Sequence, residues 1–132
     1  MVVCPKCGEN ILYRCTCYST EEERFSVYLE RVKLILETVR KLRKGWRPFV
    51  MFVFYDSEGR ELGRGGTYAS VEKIDEYHFK AAAKAENVAG AEAVEVVIED
   101  EDGNVLLRKR APASHVRSFV VEWYVGVPRI EG

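Results

Sequence analysis

Glutamine is absent from this chain, and asparagine occurs only at positions 10, 87 and 104. Glutamate far outnumbers aspartate and charged residues reach 31%. Few thermolabile amides together with dense charge point to a hyperthermophilic, archaeal source. Histidine occurs only as His78 and His115, and a lone histidine is more often a packed or surface residue than a catalytic base. No long apolar run exists. The longest, Phe49 to Tyr55, is far short of the ~20 residues that span a bilayer, so no membrane association is expected. No charged start with an apolar core precedes Cys4, so no targeting peptide is expected and the reading is cytoplasmic. Neither sign of charge dominates: 20 basic against 21 acidic residues give a net charge of −1, which excludes a uniformly basic surface but not local basic patches.

Cysteine is confined to the first seventeen residues, as Cys4 and Cys7, then Cys15 and Cys17. Four thiolates can close a tetrahedral shell around Zn²⁺, and a Cys-x-x-Cys turn supplies two of them from one loop. Pro5 stiffens that loop and Gly8 lets the backbone turn tightly behind it. The second pair, Cys15-Thr16-Cys17, is shorter than the usual partner. Two disulfides and a redox Cys-x-x-Cys are the competing readings, the first known from intracellular hyperthermophile proteins. A segment this short and polar needs a staple to fold, which favours structural zinc. The run Cys-Pro-Lys-Cys-Gly resembles the knuckle of zinc-ribbon and rubredoxin-like proteins. That resemblance covers the N-terminal segment alone (1–17) and implies a Cys4 structural zinc site with no open position for catalysis.

Thr20 followed by Glu21, Glu22 and Glu23 reads as a capping box. Apolar residues then recur at helical spacing from Phe25 through Tyr28, Val32, Ile35 and Val39 to Leu42, with Gly45 as the stop. Acids crowd the first turn and bases the last, as the helix dipole prefers. The knuckle, lying just before Thr20, is expected to anchor the start of this helix. Phe49 to Tyr55 reads as a strand, Asp56-Ser57-Glu58-Gly59 as a turn, and Arg60 to Arg64 as the return strand. Ser70 to about Ala89 is expected to form a second helix, with small residues at 81, 82 and 85 and Gly90 as its stop. Ala93–Glu99, Asn104–Arg110 and Val116–Val125 read as three further strands, and Gly126 and Pro128 open a short tail.

The two hairpins align at an offset of 44: Val53, Asp56, Gly59, Leu62 and Arg64 match Val97, Asp100, Gly103, Leu106 and Arg108. Duplication and convergence on turn-forming residues both account for this. The expectation is a knuckle at 1–19 and one α+β domain at 20–132, with repeat units at about 20–66 and 70–110. That domain is expected to carry a five-stranded antiparallel sheet with two helices on one face, in the order αββ-αββ-β.

Strand alternation puts Val50, Phe52, Phe54, Val94, Val96 and Ile98 on the inner face. Phe49, Met51, Val53 and Tyr55 then form an aromatic strip on the opposite face. This strip, with Arg108, Lys109, Arg110 and Arg117, is the candidate nucleic-acid or partner face, because rings stack bases and cations neutralise phosphates. Arg40, Lys41, Arg43, Lys44 and Arg47 form a second basic group. The Phe49 face also suits a symmetric homodimer or a larger protein complex. Catalysis is not expected. The two histidines are isolated, the glycines at 63, 65 and 66 match no phosphate-binding fingerprint, and the carboxylates at 56, 58, 100 and 102 read as turn formers. The functional expectation is a non-enzymatic, nucleic-acid-associated accessory protein with structural zinc; the alternative is a protein-interaction or oligomerisation module.

Overall fold

The computed structural model describes Val2 and residues 4–126. The tail expected from Pro128 lies outside the described residues. Among the described residues, one helix and seven strands follow the knuckle: α1 (Glu21–Arg43), β1 (Phe49–Tyr55), β2 (Glu61–Tyr68), β3 (Ser70–Asp75), β4 (His78–Glu86), β5 (Ala93–Glu99), β6 (Val105–Pro112) and β7 (Ser118–Gly126). All pairings are antiparallel. They form a four-stranded sheet in the order β2-β1-β5-β6 and a three-stranded sheet in the order β3-β4-β7. The expected five-stranded sheet with two helices is therefore corrected to two sheets and one helix.

The correction falls on the segment from Ser70 to Ala89. Its alanines favour a helix in isolation, yet Phe79, Ala81 and Ala83 are buried while the residues between them are less so. That period of two is strand burial. Nine consecutive residues of β4 pair with β7, an exchange that outweighs weak local propensity. Asp75 makes the turn into β4, its Oδ1 accepting from Tyr77 N at 2.8 Å. Gly90, expected to stop a helix, has φ 84° in the turn before β5. Gly63, Gly65 and Gly66 lie within β2 and not at a helix start.

The core lies between the two sheets. Val50, Phe52 and Phe54 of β1 and Val94, Val96 and Ile98 of β5 meet Ala81 and Ala83 of β4, flanked by Phe119, Val121 and Trp123 of β7. The inner-face assignment on β1 and β5 holds, with Phe52 opposite Val96, but what covers that face is mainly a second sheet. α1 closes one end, where Val39 and Leu42 pack with Phe79 and Val125. Thr20 caps it, its Oγ1 accepting from Glu23 N at 3.1 Å. Glu23 does not return the bond to the Thr20 backbone; its carboxylate takes the Ser19 hydroxyl at 3.3 Å. No helix among the described residues is long and apolar enough to cross a membrane.

The two aligned hairpins, β1–β2 and β5–β6, share their hydrogen bonds position by position. Asp56 Oδ1 accepts from Glu58 N at 2.9 Å and Arg60 N at 2.8 Å; Asp100 Oδ1 accepts from Asp102 N and Asn104 N, both at 2.9 Å. Each pairing slips by one residue beyond the turn, leaving Leu62 and Leu106 as the extra residues of matching bulges. Ala69 N donates to Pro48 O and Ala113 N to Glu92 O, both at 2.9 Å and again 44 positions apart. The equivalence stops at the hairpins, since only the first follows a helix.

Candidate functional site

The knuckle brings its four cysteines to one point. Every Sγ lies within 4.8 Å of the others. A tetrahedral ion at about 2.3 Å from each sulfur needs sulfurs about 3.8 Å apart, so the set fits one metal ion with small adjustment. All four thiols are free. The loops that hold them are short and self-bonded: Cys4 N donates to Glu9 O at 2.8 Å, and Gly8 N to Cys4 O at 2.9 Å. The Asn10 carbonyl gathers the amides of Tyr13, Arg14 and Cys15. One amide faces a sulfur in each half, Lys6 N to Cys4 Sγ at 3.3 Å and Cys17 N to Cys15 Sγ at 3.4 Å. Such N–H···S bonds stabilise thiolate ligands.

The four sulfurs are not equivalent. Burial pushes the Cys4 thiol up, but hydrogen bonds from the Tyr18 hydroxyl and the backbone of Cys7 and Lys6 outweigh it and bring it to about 6. Cys15 is raised by burial. Cys17 is pushed up to about 12 by sharing hydrogen bonds with the Cys7 and Cys15 sulfurs. A crowded set of thiols with one thiolate is what a divalent cation completes, since the cation favours deprotonation of the rest.

The knuckle also packs farther into the fold than its place before Thr20 suggests. Val2, Cys4, Ile11, Cys15 and Tyr18 form a buried cluster against Val27, Tyr28, Val32 and Ile35, beyond the first turn of α1. Gly8 lies against β6, where a Cβ would come within 2.6 Å of Arg108 O. Arg31 of α1, 9% exposed, donates to Val105 O at 2.5 Å and to Leu106 O at 3.0 Å. Those carbonyls belong to the β6 bulge. No carboxylate among the described residues pairs with Arg31. Burial pulls its guanidinium below its ordinary value, and the charge of Cys4 acts in the opposite sense.

The second candidate site is the outer face of the four-stranded sheet. Register places Phe49, Met51, Val53 and Tyr55 in line, with Tyr68, Gly66 and Arg64 beside them on β2 and Glu99, Val97, Glu95 and Ala93 on β5. Arg108 and Arg110 follow on β6, opposite Val97 and Glu95. Phe49 and Tyr68 meet edge to face at 5.2 Å. The Phe49 ring covers Gly66, where any Cβ would strike it. Arg110 lies over Tyr55, 4.7 Å from the ring centroid. Arg108 reaches Glu95 at 3.8 Å, and Arg64 pairs with Glu61.

Of the expected residues, Phe49, Met51, Tyr55, Arg108 and Arg110 share this face. Lys109 does not: it sits opposite Val96 and lines the space between the sheets. Arg117 lies in the β6–β7 connection, its carbonyl accepting from Asn87 N at 2.9 Å. Arg40, Lys41, Arg43, Lys44 and Arg47 gather around the end of α1, with Arg47 two residues before Phe49. Lys41 lies over Trp46 at 5.7 Å and Arg43 over Tyr77 at 5.5 Å.

Two residues escaped the sequence reading. Tyr68 falls just past the expected end of β2, and only continued alternation from Arg64 would have included it. Arg31 carried no signal, because a basic residue within an amphipathic helix reads as solvated. His78 lies at the start of β4 and is held by Asp75 at 2.8 Å. The chain matches no family model, and neither the curated proteins nor the solved structures include one similar to it.

Proposed function

We propose that this protein is a non-catalytic, nucleic-acid-associated accessory protein: the knuckle holds structural zinc, and the outer face of the four-stranded sheet contacts a single strand. Zinc follows from the donor set, since four cysteines in two short loops supply a closed tetrahedral shell with no position for substrate. Such a centre carries two negative charges, and Arg31 is the buried cation on hand to offset them.

The observation that carries the strand-binding reading is the pair of exposed rings, Tyr68 and Phe49, at one end of a face whose Val53 is buried and whose Tyr55 is half-buried. Tyr68 is 68% exposed and Phe49 38%, while Tyr55 under Arg110 stands about 20 Å away along β1 at 3.3 Å per residue. Rings on an open sheet face stack unpaired bases, which single strands offer and duplexes do not. Arg110 is the phosphate or base contact, because Arg108 and Arg64 already face carboxylates.

Binding to single- and double-stranded DNA and RNA over a salt series tests this. The expected result is preference for single strands, with affinity falling steeply as salt rises. Tyr68→Ser should weaken binding about tenfold, the equivalent of one lost stack. Absence of binding to any of them at low salt would sink the reading. Metal analysis of native protein should return about one zinc per chain. A second reading, a protein-interaction module within a larger complex, is favoured by the free edge of β7.

A further inference from the structure

The two sheets end in four edge strands, and three are protected against pairing. β2 carries three glycines and a bulge at Leu62. β3 is six residues long, charged, and bulged before Asp75. β6 combines a bulge, Pro112, the run Arg108-Lys109-Arg110 and the knuckle's Gly8 against Arg108 O. Among the described residues, β7 has none of these devices. Its nine residues pair without a slip to β4, contain no proline, and carry a single charge at Glu122. Natural sheets do not leave such an edge bare without a reason.

That edge opens on a cleft. β6 and β7 are consecutive in the chain but belong to different sheets, and a cleft of about 500 Å³ separates them. Its walls include Val94, Val96, Leu107, Phe119, Val121 and Trp123, and Arg31 stands among its lining residues. The volume lies within the range of binding clefts. Residues from both faces of β7 line it, so the strand's outward N–H and C=O groups run along it.

We propose that an extended segment of a partner protein adds to the β7 edge, the side chains of one of its faces, apolar apart from an acidic one opposite Lys109, entering this cleft. An apolar small molecule would fill the volume but leave the main-chain groups of β7 unmatched, whereas a strand satisfies both. A second copy's β7 fits poorly, because its Phe119 and Trp123 pack on its own core and are not free to enter. The charge bias is set by Lys109 in the cleft lining, while Glu122 is already engaged by Lys80 at 3.2 Å.

The test is selection of a random nine-residue peptide library, displayed on phage, against the metal-loaded full chain, with the strongest peptide then synthesised. The expected peptides carry apolar residues at alternate positions, with one Asp or Glu among that same set. Their binding should slow hydrogen exchange across β7, weaken at least tenfold in Lys109→Glu, and vanish when alternate peptide amides are N-methylated. Tyr68→Ser, which belongs to the strand-binding face, should leave peptide affinity unchanged. The proposal is overturned if no peptide is enriched, or if enriched peptides ignore Lys109→Glu and leave β7 exchange unaltered. It is equally overturned if β7 becomes protected with rising protein concentration alone, which would assign the edge to a second copy.

Discussion

Gly8 and Gly59 adopt nearly the same left-handed backbone, with φ of 75° and 79°, but their surroundings differ. At Gly59 nothing lies within 4 Å of the place a Cβ would occupy, whereas at Gly8 the carbonyl oxygen of Arg108 lies 2.6 Å from it. An L side chain at either position pays the left-handed penalty, about 1 kcal/mol. At Gly8 it must also lift the knuckle off β6. Gly59→Ala should therefore cost about 1 kcal/mol and Gly8→Ala about 3 kcal/mol, read as shifts in the urea midpoint of metal-loaded protein. Equal losses would mean that the contact between knuckle and β6 has no energetic role.

Among the elements, the two hairpins are organised by one carboxylate each. Hydrogen bonds from the Arg60 and Glu58 amides hold Asp56 below its ordinary value. Burial pushes Asp100 upward, but bonds from Asn104 and the Asp102 amide prevail and lower it. A carboxyl lowered on folding contributes stability that is complete above its unfolded value, near 3.9, and is lost as pH falls through its folded value. Acid titration should thus loosen both hairpin turns below about pH 4. Asp56→Asn combined with Asp100→Asn should flatten that part of the stability profile, measured by thermal melts between about pH 2 and 7.

These turns were readable in the sequence because Asp and Gly at fixed offsets have few other uses. β1 and β5 were equally readable, as β-branched and aromatic runs. The β3–β4 hairpin was not: the run Lys80–Ala83 within β4 is lysine and alanine alone, which helices also favour. Only pairing with β7, far later in the chain, decides the matter, and no local pattern reports a distant partner. The cysteine set was legible from spacing alone, but its attachment to Arg31 and β6 was not, since that contact joins residues more than seventy positions apart.

At the scale of the whole molecule, three apolar clusters form a chain. The knuckle cluster shares Ile35 with the cluster of Val39, Leu42, Phe79 and Val125, and that cluster shares Trp46, Val71 and Trp123 with the core between the sheets. Arg31 adds a polar link from α1 to the β6 bulge, beside Cys4. A metal ion in the knuckle is therefore positioned to stabilise the sandwich and not merely the N-terminal segment. Structural zinc in small domains contributes free energy comparable to a whole domain's stability, so its removal is not a local event. Chelation should lower the single melting transition by on the order of 15 °C and speed hydrogen exchange in Val105–Leu107 together with the knuckle. Arg31→Met should leave Val105 O and Leu106 O without their donor and reproduce the β6 part of that change while metal stays bound. If chelation instead melts the knuckle and first turn of α1 while β6 exchange and the main transition hold, the metal acts as a local staple and the link through Arg31 carries nothing.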